Sequence, residues 1–253
     1  MKKIFLLITG FVCVSLFAQE NKTMLIKFEH RQEIDPKSVT VNGVSGKEVE
    51  KEQIKFANEI ANEILAYQLT LNQNESYYEF LPKISNNQDG SITTYGDDGE
   101  MLYKNLRENF SIKTVSFPKK FLIRDSLRNY NWQILNETKE ICGQQTQKAI
   151  SELGDSIKIE AWFSPKLNYK NGPDLYEGLP GLILKVNKTA ESKIEGWSKE
   201  NIICTTIEII KEKKSFKKPN KGKVVTPKEY DDICDEFEAK YLENNNNGVE
   251  VSI

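Results

Sequence analysis

The spacing of apolar residues predicts a chain built mainly of short β-strands. Apolar and polar residues alternate over residues 24–29 and 63–73, and residues 76–84 (SYYEFLPKI) return as the second arm of a hairpin. Shorter apolar runs follow, about ten residues apart with polar turns between them, over residues 102–105, 111–117, 120–124 and 132–135. This rhythm is typical of an antiparallel meander, sandwich or barrel, and not of alternating strands and helices.

The second half of the chain is expected to continue in the same way. Residues 157–163, 182–186 and 201–211 are β-branched or alternate between apolar and polar, which predicts three further strands. Residues 138–154 fit either a helix or a strand. The glycine-, aspartate- and asparagine-rich residues 85–100 predict an exposed loop or a short hairpin.

Two segments carry helical patterns. Residues 47–61 have apolar side chains at rough helical spacing. Thr226 and Glu229 form a capping box with Pro227 at the first helical position. Helical spacing follows at Tyr230, Ile233, Cys234 and Phe237, and residues 243–248 (ENNNNG) are expected to end the helix. The predicted fold is therefore mainly β: an antiparallel curved sheet or partly open barrel with a C-terminal helix and one inserted helix.

The first 18 residues predict a secretory signal peptide. Two lysines precede an apolar run over residues 4–17, and Ala18 supplies the small residue of a cleavage site. The run is shorter than the roughly 20 residues of a membrane-spanning helix, and no later stretch is apolar and long enough to span. We therefore expect one exported domain over residues 19–253, periplasmic or associated with the outer membrane, without a transmembrane segment after signal cleavage.

Charge and reactive residues narrow the function classes. With 35 basic and 37 acidic residues the formal net charge is −2, which argues against nucleic acid as a partner. Cys142, Cys204 and Cys234 lie beyond the signal peptide; they allow at most one internal disulfide, whose pairing the sequence leaves open. Their spacing fits no zinc pattern and His30 is the only histidine, so neither a metal site nor a cofactor is expected. His30 is expected to be a surface residue.

Other charged segments have ordinary interpretations. Residues 211–223 hold seven lysines and are expected to form a solvated loop, although contact with anionic lipid is an alternative. Asp97, Asp98 and Glu100 lack the spacing of a calcium loop. The sequence contains no phosphate-binding loop, serine nucleophile elbow or metalloprotease signature, so no catalytic residue is predicted.

The hexapeptide GLPGLI, residues 178–183, is unusual because it places a turn among large aliphatic side chains. Pro180 followed by Gly181 predicts a type II turn, and Gly178 is expected to allow a close backbone approach. This turn should lead into residues 182–186, which form a long-looped hairpin with the strand before Pro165. The flanking aliphatic residues are Leu179, Leu182 and Ile183. They either close the end of the protein's own core, or line a ligand mouth or a docking surface.

Residues 161–186, AWFSPKLNYKNGPDLYEGLPGLILKV, resemble the signature of the GLPGLI family of Bacteroidetes envelope proteins. The residues that carry the resemblance are Trp162, Phe163, Pro165, Gly172, Pro173, Gly178, Leu179, Pro180, Gly181, Leu182 and Ile183. Upstream, Gln144 and Thr146 stand where many relatives carry a tyrosine and a cysteine, so no disulfide is transferred from the family. The resemblance implies export, a β-rich fold and an envelope setting, often near TonB-dependent receptor systems. It implies no known activity.

Three functions are compatible with these observations. The first is a non-catalytic envelope accessory protein that binds a protein partner, such as a TonB-dependent receptor system, through the motif hairpin formed by the residues just named. The alternative is a periplasmic carrier of an apolar or lipid ligand, which requires a large internal apolar cavity. The third is an envelope hydrolase, which requires polar residues that converge in a cleft with perturbed pKa values.

Overall fold

One twelve-stranded sheet with two open edges forms the frame of the protein. The computed structural model describes residues 23–40, 47–86, 92–95, 100–192, 196–210 and 214–246, so the predicted signal peptide lies outside the described residues. In spatial order the strands are β14 (Lys223–Val225), β8 (Phe121–Ser126), β7 (Phe110–Val115), β6 (Met101–Asn105), β3 (Glu75–Leu81), β2 (Leu65–Leu71), β1 (Thr23–Ile34), β13 (Gly196–Ile210), β12 (Leu182–Ser192), β11 (Ile157–Ser164), β10 (Gln144–Leu153) and β9 (Gln133–Ile141). Neighbours pair antiparallel, except that β14 and β8 are parallel.

The chain builds this sheet outwards from its centre and then inwards from the far edge. β1 pairs on one side with β2, and the chain continues outwards through β3, β6 and β7 to β8. It restarts at the opposite edge with β9 and returns inwards to β13, which pairs with β1 from Thr23 opposite Ile210 onwards. Two segments therefore run from one side of the sheet to the other: residues 127–132 join β8 to β9, and residues 214–222 lead to β14.

The larger apolar core brings together side chains from the central and later strands. It contains Met24, Ile26, Phe28, Leu69, Leu71, Ala161, Phe163, Val186 and Ile202, among others. Among the described residues, the members of this core that lie outside the strands come from loops: Tyr130 from the segment that joins β8 to β9, and Tyr176 and Leu179 from the loop between β11 and β12. Burial of each large apolar side chain contributes about 1.5–3 kcal/mol, so these irregular segments hold their positions through packing.

Two smaller apolar clusters lie near the other end of the sheet. One contains Tyr103 and Phe110, and Phe216 from the lysine-rich segment packs against it. The ammonium of Lys218 lies 4.9 Å from the centre of the Phe110 ring. The described part of the predicted solvated loop, residues 214–222, is thus anchored to the sheet by its aromatic residue and by one lysine.

Both predicted helices are present. α1 (Lys47–Asn62) packs against β1, and α2 (Pro227–Asn246) packs against β8. The capping box is confirmed, since the Thr226 N–H donates to the Glu229 carboxylate at 2.7 Å and the Glu229 N–H donates to the Thr226 hydroxyl at 3.2 Å. The described part of α2 reaches Asn246, which lies within residues 243–248, the segment expected to end the helix. In the part of the chain that the structure describes, neither helix is long and apolar enough to cross a membrane.

The predicted fold class is confirmed, and the two ambiguous segments are resolved as strands. The sheet is mainly antiparallel and is not closed into a barrel. Residues 138–154 form parts of β9 and β10 and the turn between them. Within residues 85–100 the structure describes parts of a two-stranded hairpin, β4 (Lys83–Asn86) and β5 (Ile92–Tyr95), whose strands pair with each other outside the main sheet.

Candidate functional site

The GLPGLI motif ends a loop that covers the larger core. This covering loop, residues 165–181, leaves β11 at Ser164 and rejoins the sheet at Leu182, which pairs with Ser164. The predicted long-looped hairpin is therefore confirmed. The side chains of Leu179, Leu182 and Ile183 are at most 1% exposed. They close the protein's own core, which was one of the two alternatives that the sequence left open.

The turn at Pro180 is tighter than the sequence predicts. The N–H of Gly181 donates to the carbonyl oxygen of Leu179 at 2.8 Å, which closes a three-residue turn. A type II turn needs a positive φ at Gly181, and its backbone is not in that region, so this prediction is wrong. The N–H of Leu182 donates instead to the carbonyl oxygen of Leu167 at 2.9 Å, and this bond ties the two ends of the covering loop together.

The glycines of the covering loop have roles different from those predicted. Gly178 was expected to allow a close approach, but it has a φ of 87° and an added Cβ would come no closer than 3.9 Å to its neighbours. The close approach is made by Gly181, where a Cβ would lie 2.3 Å from the carbonyl oxygen of Ser164. Gly172 makes a second close approach, since a Cβ added there would lie 2.7 Å from the Cβ of Ile183. Both glycines are needed for packing.

Gly181→Ala is expected to lower the free energy of unfolding by about 1–3 kcal/mol, as overpacking of a core does. The added methyl meets the backbone of Ser164, which cannot move away without disturbing the pairing of β11 with β12. Urea unfolding measures this loss. Pro180→Ala alters the neighbouring exposed position and is expected to change the free energy by less than about 1 kcal/mol. Equal losses of unfolding free energy in the two variants would contradict a steric clash between the added methyl group and the backbone of Ser164.

The remaining motif residues differ in their exposure. Phe163 belongs to the larger core. Trp162 donates its indole N–H to Glu160 at 2.8 Å, and the ammonium of Lys139 lies 3.6 Å from its ring centre. Gly172 and Pro173 are buried, whereas Pro165, Gly178 and Pro180 are exposed. A binding role of the motif hairpin stays a prediction, and it would have to use mainly these exposed residues.

A buried lysine holds the covering loop from beneath. Lys104 on β6 has no exposed surface, and its ammonium donates to the carbonyl oxygens of Gly172 at 2.9 Å and Tyr176 at 3.2 Å. Trp132 donates its indole N–H to the carbonyl oxygen of Glu177 at 2.8 Å. Burial lowers the pKa of Lys104 to about 8, although nearby carboxylates such as that of Glu177 oppose the shift. The loop is thus fixed by side chains that bind its backbone.

Several further ionisable side chains form a buried cluster beside Lys104. Glu200 accepts a hydrogen bond from the Tyr176 hydroxyl at 2.9 Å, and its other carboxylate oxygen lies 2.9 Å from Nε2 of His30. Burial alone would raise the pKa of Glu200, but its contacts with His30, Lys188 and Tyr176 lower it. The side chain of His30 is only 16% exposed, so the surface position predicted for it is wrong.

A cavity of about 210 Å³ lies next to this cluster. It is lined by His30, Tyr67, Tyr78, Glu100, Met101, Leu102, Lys113 and Asp174. The rings of Tyr67 and Tyr78 stack with their centres 4.9 Å apart. Tyr78 is 6% exposed, and its hydroxyl has no hydrogen-bond partner among the described residues. A buried polar group without a partner is uncommon, and this one belongs to a residue of the cavity wall.

Asp174 joins the cavity to the covering loop. It follows Pro173 in the loop, and it is one of the residues that line the cavity. Burial raises the pKa of Asp174, and the negative charge of Glu200 raises it further. Within the described residues no group of three or more histidine, cysteine, aspartate or glutamate side chains is arranged to hold a metal ion.

Sequence reasoning missed Lys104, Tyr78 and Asp174. One signal was available, because alternation in β6 places Lys104 on the same face as the buried Leu102, where a lysine is unusual. Tyr78 and Asp174 carry no such signal. A tyrosine in a strand and an aspartate in a loop are both common, and only the assembled structure brings them to one cavity.

Solved structures share the fold of this chain. Two structures of PNGF-II, in space groups P21 and C2, align with TM-scores of 0.51 and 0.52 at 14% sequence identity, over 84% of this chain. The chain spans only about a third of PNGF-II, 33% and 32% of the two chains. At this identity the similarity concerns the fold alone. The LolA superfamily protein NE2245 from Nitrosomonas europaea aligns over 75% of this chain and 86% of its own at 10% identity, with a TM-score of 0.28 that supports no argument.

Sequence comparison identifies the family of the motif segment. No curated protein is significantly similar to the chain. Residues 122–185 match the family described as "Protein of unknown function (Porph_ging)". The match runs from β8 into β12 and includes the whole covering loop and the GLPGLI hexapeptide. Residues 122–185 are thus similar to the Porph_ging family, and this match supports the resemblance of residues 161–186 to the GLPGLI family.

Proposed function

We propose that this protein is a non-catalytic binding protein of the cell envelope that takes a small cationic molecule into the cavity beneath the covering loop. The observation that carries the proposal is Tyr78, a residue of the cavity wall whose buried hydroxyl has no hydrogen-bond partner among the described residues. A buried polar group left unpaired costs about 1–3 kcal/mol, so a molecule that pairs with it gains affinity. The envelope setting follows from the predicted signal peptide and from the family resemblance.

The charge around the cavity favours a cation. Asp174 lines the cavity, and burial together with Glu200 disfavours the negative charge of its carboxyl group more than the nearby Lys104 and Lys113 favour it. A positive charge placed beside it would offset this penalty. Lys113 also lines the cavity, but its ammonium already pairs with Glu100 at 3.0 Å. The stacked rings of Tyr67 and Tyr78 add aromatic surface, to which cations are attracted.

The size of the cavity favours a compact ligand. Its volume of about 210 Å³ is below the roughly 300–1,000 Å³ of pockets for drug-sized molecules. It suits a small molecule, or the ammonium end of a larger one. An apolar or lipid carrier needs a large apolar cavity, whereas the described core is filled by side chains such as Phe163 and Leu179. These observations favour a polar ligand over the apolar one that the sequence suggested.

The bonding of the buried cluster favours binding over catalysis. The ammonium of Lys104 is engaged by two backbone carbonyl groups, and the carboxylate of Glu200 is engaged by His30 and Tyr176. These groups fix the covering loop and are not directed at a bound molecule. Burial raises the pKa of Tyr78 well above its usual value, so its hydroxyl stays protonated and acts as a hydrogen-bond donor.

The full chain is expected to retain a compact cation when it is purified gently from its own producer. Native mass spectrometry should show a reproducible added mass that is weaker in Tyr78→Phe and lost in Asp174→Asn, because these variants remove the hydroxyl and the carboxylate that face the ligand. Tyr241→Phe removes a hydroxyl from the exposed side of α2 and should leave the added mass unchanged. If the added mass is equal in all variants, the ligand binds at a site other than this cavity.

A matched pair of probes tests the charge requirement independently of the natural ligand. Ethanolamine and ethylene glycol have nearly the same size, but only ethanolamine carries an ammonium group. At millimolar concentration ethanolamine is expected to raise the Tm of the wild-type chain and not that of Asp174→Asn, since a ligand that binds only the folded state stabilises it. The proposal would be refuted if native mass spectrometry shows no added mass and the two probes either shift the Tm equally or do not shift it at all.

Docking of an envelope protein, such as a component of a TonB-dependent receptor system, is a second candidate function. A groove of about 420 Å³ runs between residues 127–134 and residues 178–180 on the exposed side of the motif, and Ile134 in this groove is exposed. A photoreactive amino acid at Pro180 is expected to cross-link a partner in intact cells if the groove is used. The same label at Pro165, which is exposed at the other end of the covering loop, is the control.

A further inference from the structure

We infer that Cys142 and Cys204 form a disulfide bond when the protein is oxidised, an inference that goes beyond the proposed ligand binding. The described residues contain three cysteines, all with free thiols: Cys142, Cys204 and Cys234. The side chains of Cys142 and Cys204 are neighbours in the larger core. Both side chains pack into the larger core, whereas Cys234 lies on α2. The fold thus selects one of the three pairings that the sequence left open.

The contact joins two distant parts of the sheet. Cys142 lies in the turn between β9 and β10, and Cys204 lies on β13. β12 and β11 separate β13 from β10, so in a flat sheet the two residues would be roughly 14–19 Å apart. Both side chains nevertheless pack on the larger core, which brings the turn close to β13 across the face of the sheet that bears this core. A bond between them would fasten the open edge of the sheet to its centre.

The backbone at Cys142 gives a second, independent reason. Ile141 pairs with Gln144, so Cys142 and Gly143 form a two-residue hairpin turn in which φ is 52° and 70°. Positive φ at both positions defines a type I′ turn, which strongly favours asparagine, aspartate or glycine at the first of them. Cysteine is a poor choice for this conformation. The turn therefore does not explain why a cysteine stands at position 142. A disulfide bond with the neighbouring Cys204 would explain it.

The oxidation needs an external disulfide, which an oxidising compartment supplies as a protein or small-molecule oxidant. The thiolate of Cys142, the more exposed of the two, attacks this disulfide and releases one reduced thiol. The thiolate of Cys204 then attacks the Cys142 sulfur and releases the second. One bond forms between the two cysteines, their two protons and two electrons are lost, and the oxidant becomes two thiols. Burial raises the pKa of the Cys204 thiol, so the second attack should be the slower.

The test uses the purified full chain, so it depends neither on the compartment nor on the ligand. The reduced chain is equilibrated with oxidised and reduced glutathione, and the thiols that remain are counted in denaturant. We expect the loss of two thiols, a mass lower by two hydrogens, and a linked peptide pair containing residues 142 and 204. We also expect a Tm about 10 °C above that of the reduced chain, because the bond closes a long loop in the unfolded chain.

Matched variants make the result specific. Cys234→Ser should form the bond as the wild type does. Cys142→Asn, which the type I′ turn favours, should fold in the reduced state and lose both the bond and the oxidation-dependent rise in Tm. Retention of all thiols by the wild type, a linked peptide that contains Cys234, or glutathione adducts without an internal bond would each overturn the inference.

Discussion

Leu179→Asp is expected to unfold the protein and not merely to weaken a surface contact. Leu179 is 1% exposed and packs in the larger core. Its replacement loses about 2–5 kcal/mol of apolar packing, and burial of an unpaired carboxylate adds several more. The sum approaches the whole stability of a typical domain, about 5–15 kcal/mol. Circular dichroism and urea unfolding should show loss of the cooperative transition.

Leu175→Asp is the matched control, because Leu175 lies in the same covering loop and is 41% exposed. The same chemical change at this position should alter the free energy of unfolding by less than about 0.5 kcal/mol, as is usual for surface substitutions. A folded Leu179→Asp variant with the wild-type urea midpoint would mean that this face of the motif is accessible. The leucine would then become a direct candidate for partner docking.

Lys104→Ala is expected to lower the free energy of unfolding by about 2–5 kcal/mol, because it leaves a cavity and removes the partner of two buried carbonyl groups. The truncation removes the ammonium that binds the carbonyl oxygens of Gly172 and Tyr176, and it leaves the nearby carboxylates without this cation. Lys113→Ala removes a lysine whose side chain is 54% exposed and should cost less than about 1 kcal/mol. Similar losses in the two variants would show that Lys104 does not hold the loop.

The pH dependence of Lys104→Met isolates the charge of this residue. The folded-state pKa of Lys104 is lowered to about 8 from an ordinary 10.5, so between these pH values the unfolded chain binds more protons. The free energy of unfolding of the wild type should therefore rise with pH relative to the variant, by at most about 1.4 kcal/mol per pH unit. The tyrosines are the same in both proteins and cancel in the difference. A flat difference from pH 8 to 10 would contradict the lowered pKa.

The strands and helices were predictable because their signals are local. Alternation over residues 157–163 identifies β11 without reference to any other part of the chain, and the capping box at Thr226 and Glu229 marks the start of α2. Burial of Leu179, Leu182 and Ile183 was also weighed correctly as an alternative, because large aliphatic side chains in water are costly. In these cases the local structure, or the burial of a side chain, can be predicted from a residue and its nearest neighbours in sequence.

The candidate site was not predictable because its contacts are not local. Lys104 bonds to carbonyl groups 68 and 72 positions away, and those bonds depend on where the covering loop crosses the sheet. The roles of Gly178 and Gly181 were exchanged for the same reason, since the close approach at Gly181 is to Ser164 on the adjacent strand. Tyr78 becomes significant only because the loop and five strands enclose a cavity around it.

The pairing of β1 with β13 constrains how the chain can acquire its fold. β1 is the first described strand, and Thr23 at its start also accepts a hydrogen bond from the backbone N–H of Lys214, 191 positions later. Contacts between such distant positions slow folding, because a long loop must close before they form. A truncated chain that stops before residue 196 keeps β2 but lacks β13, the second strand that pairs with β1. Ile202 and Cys204 of β13 also belong to the larger core, so both the centre of the sheet and this core are completed only after β13 has been made.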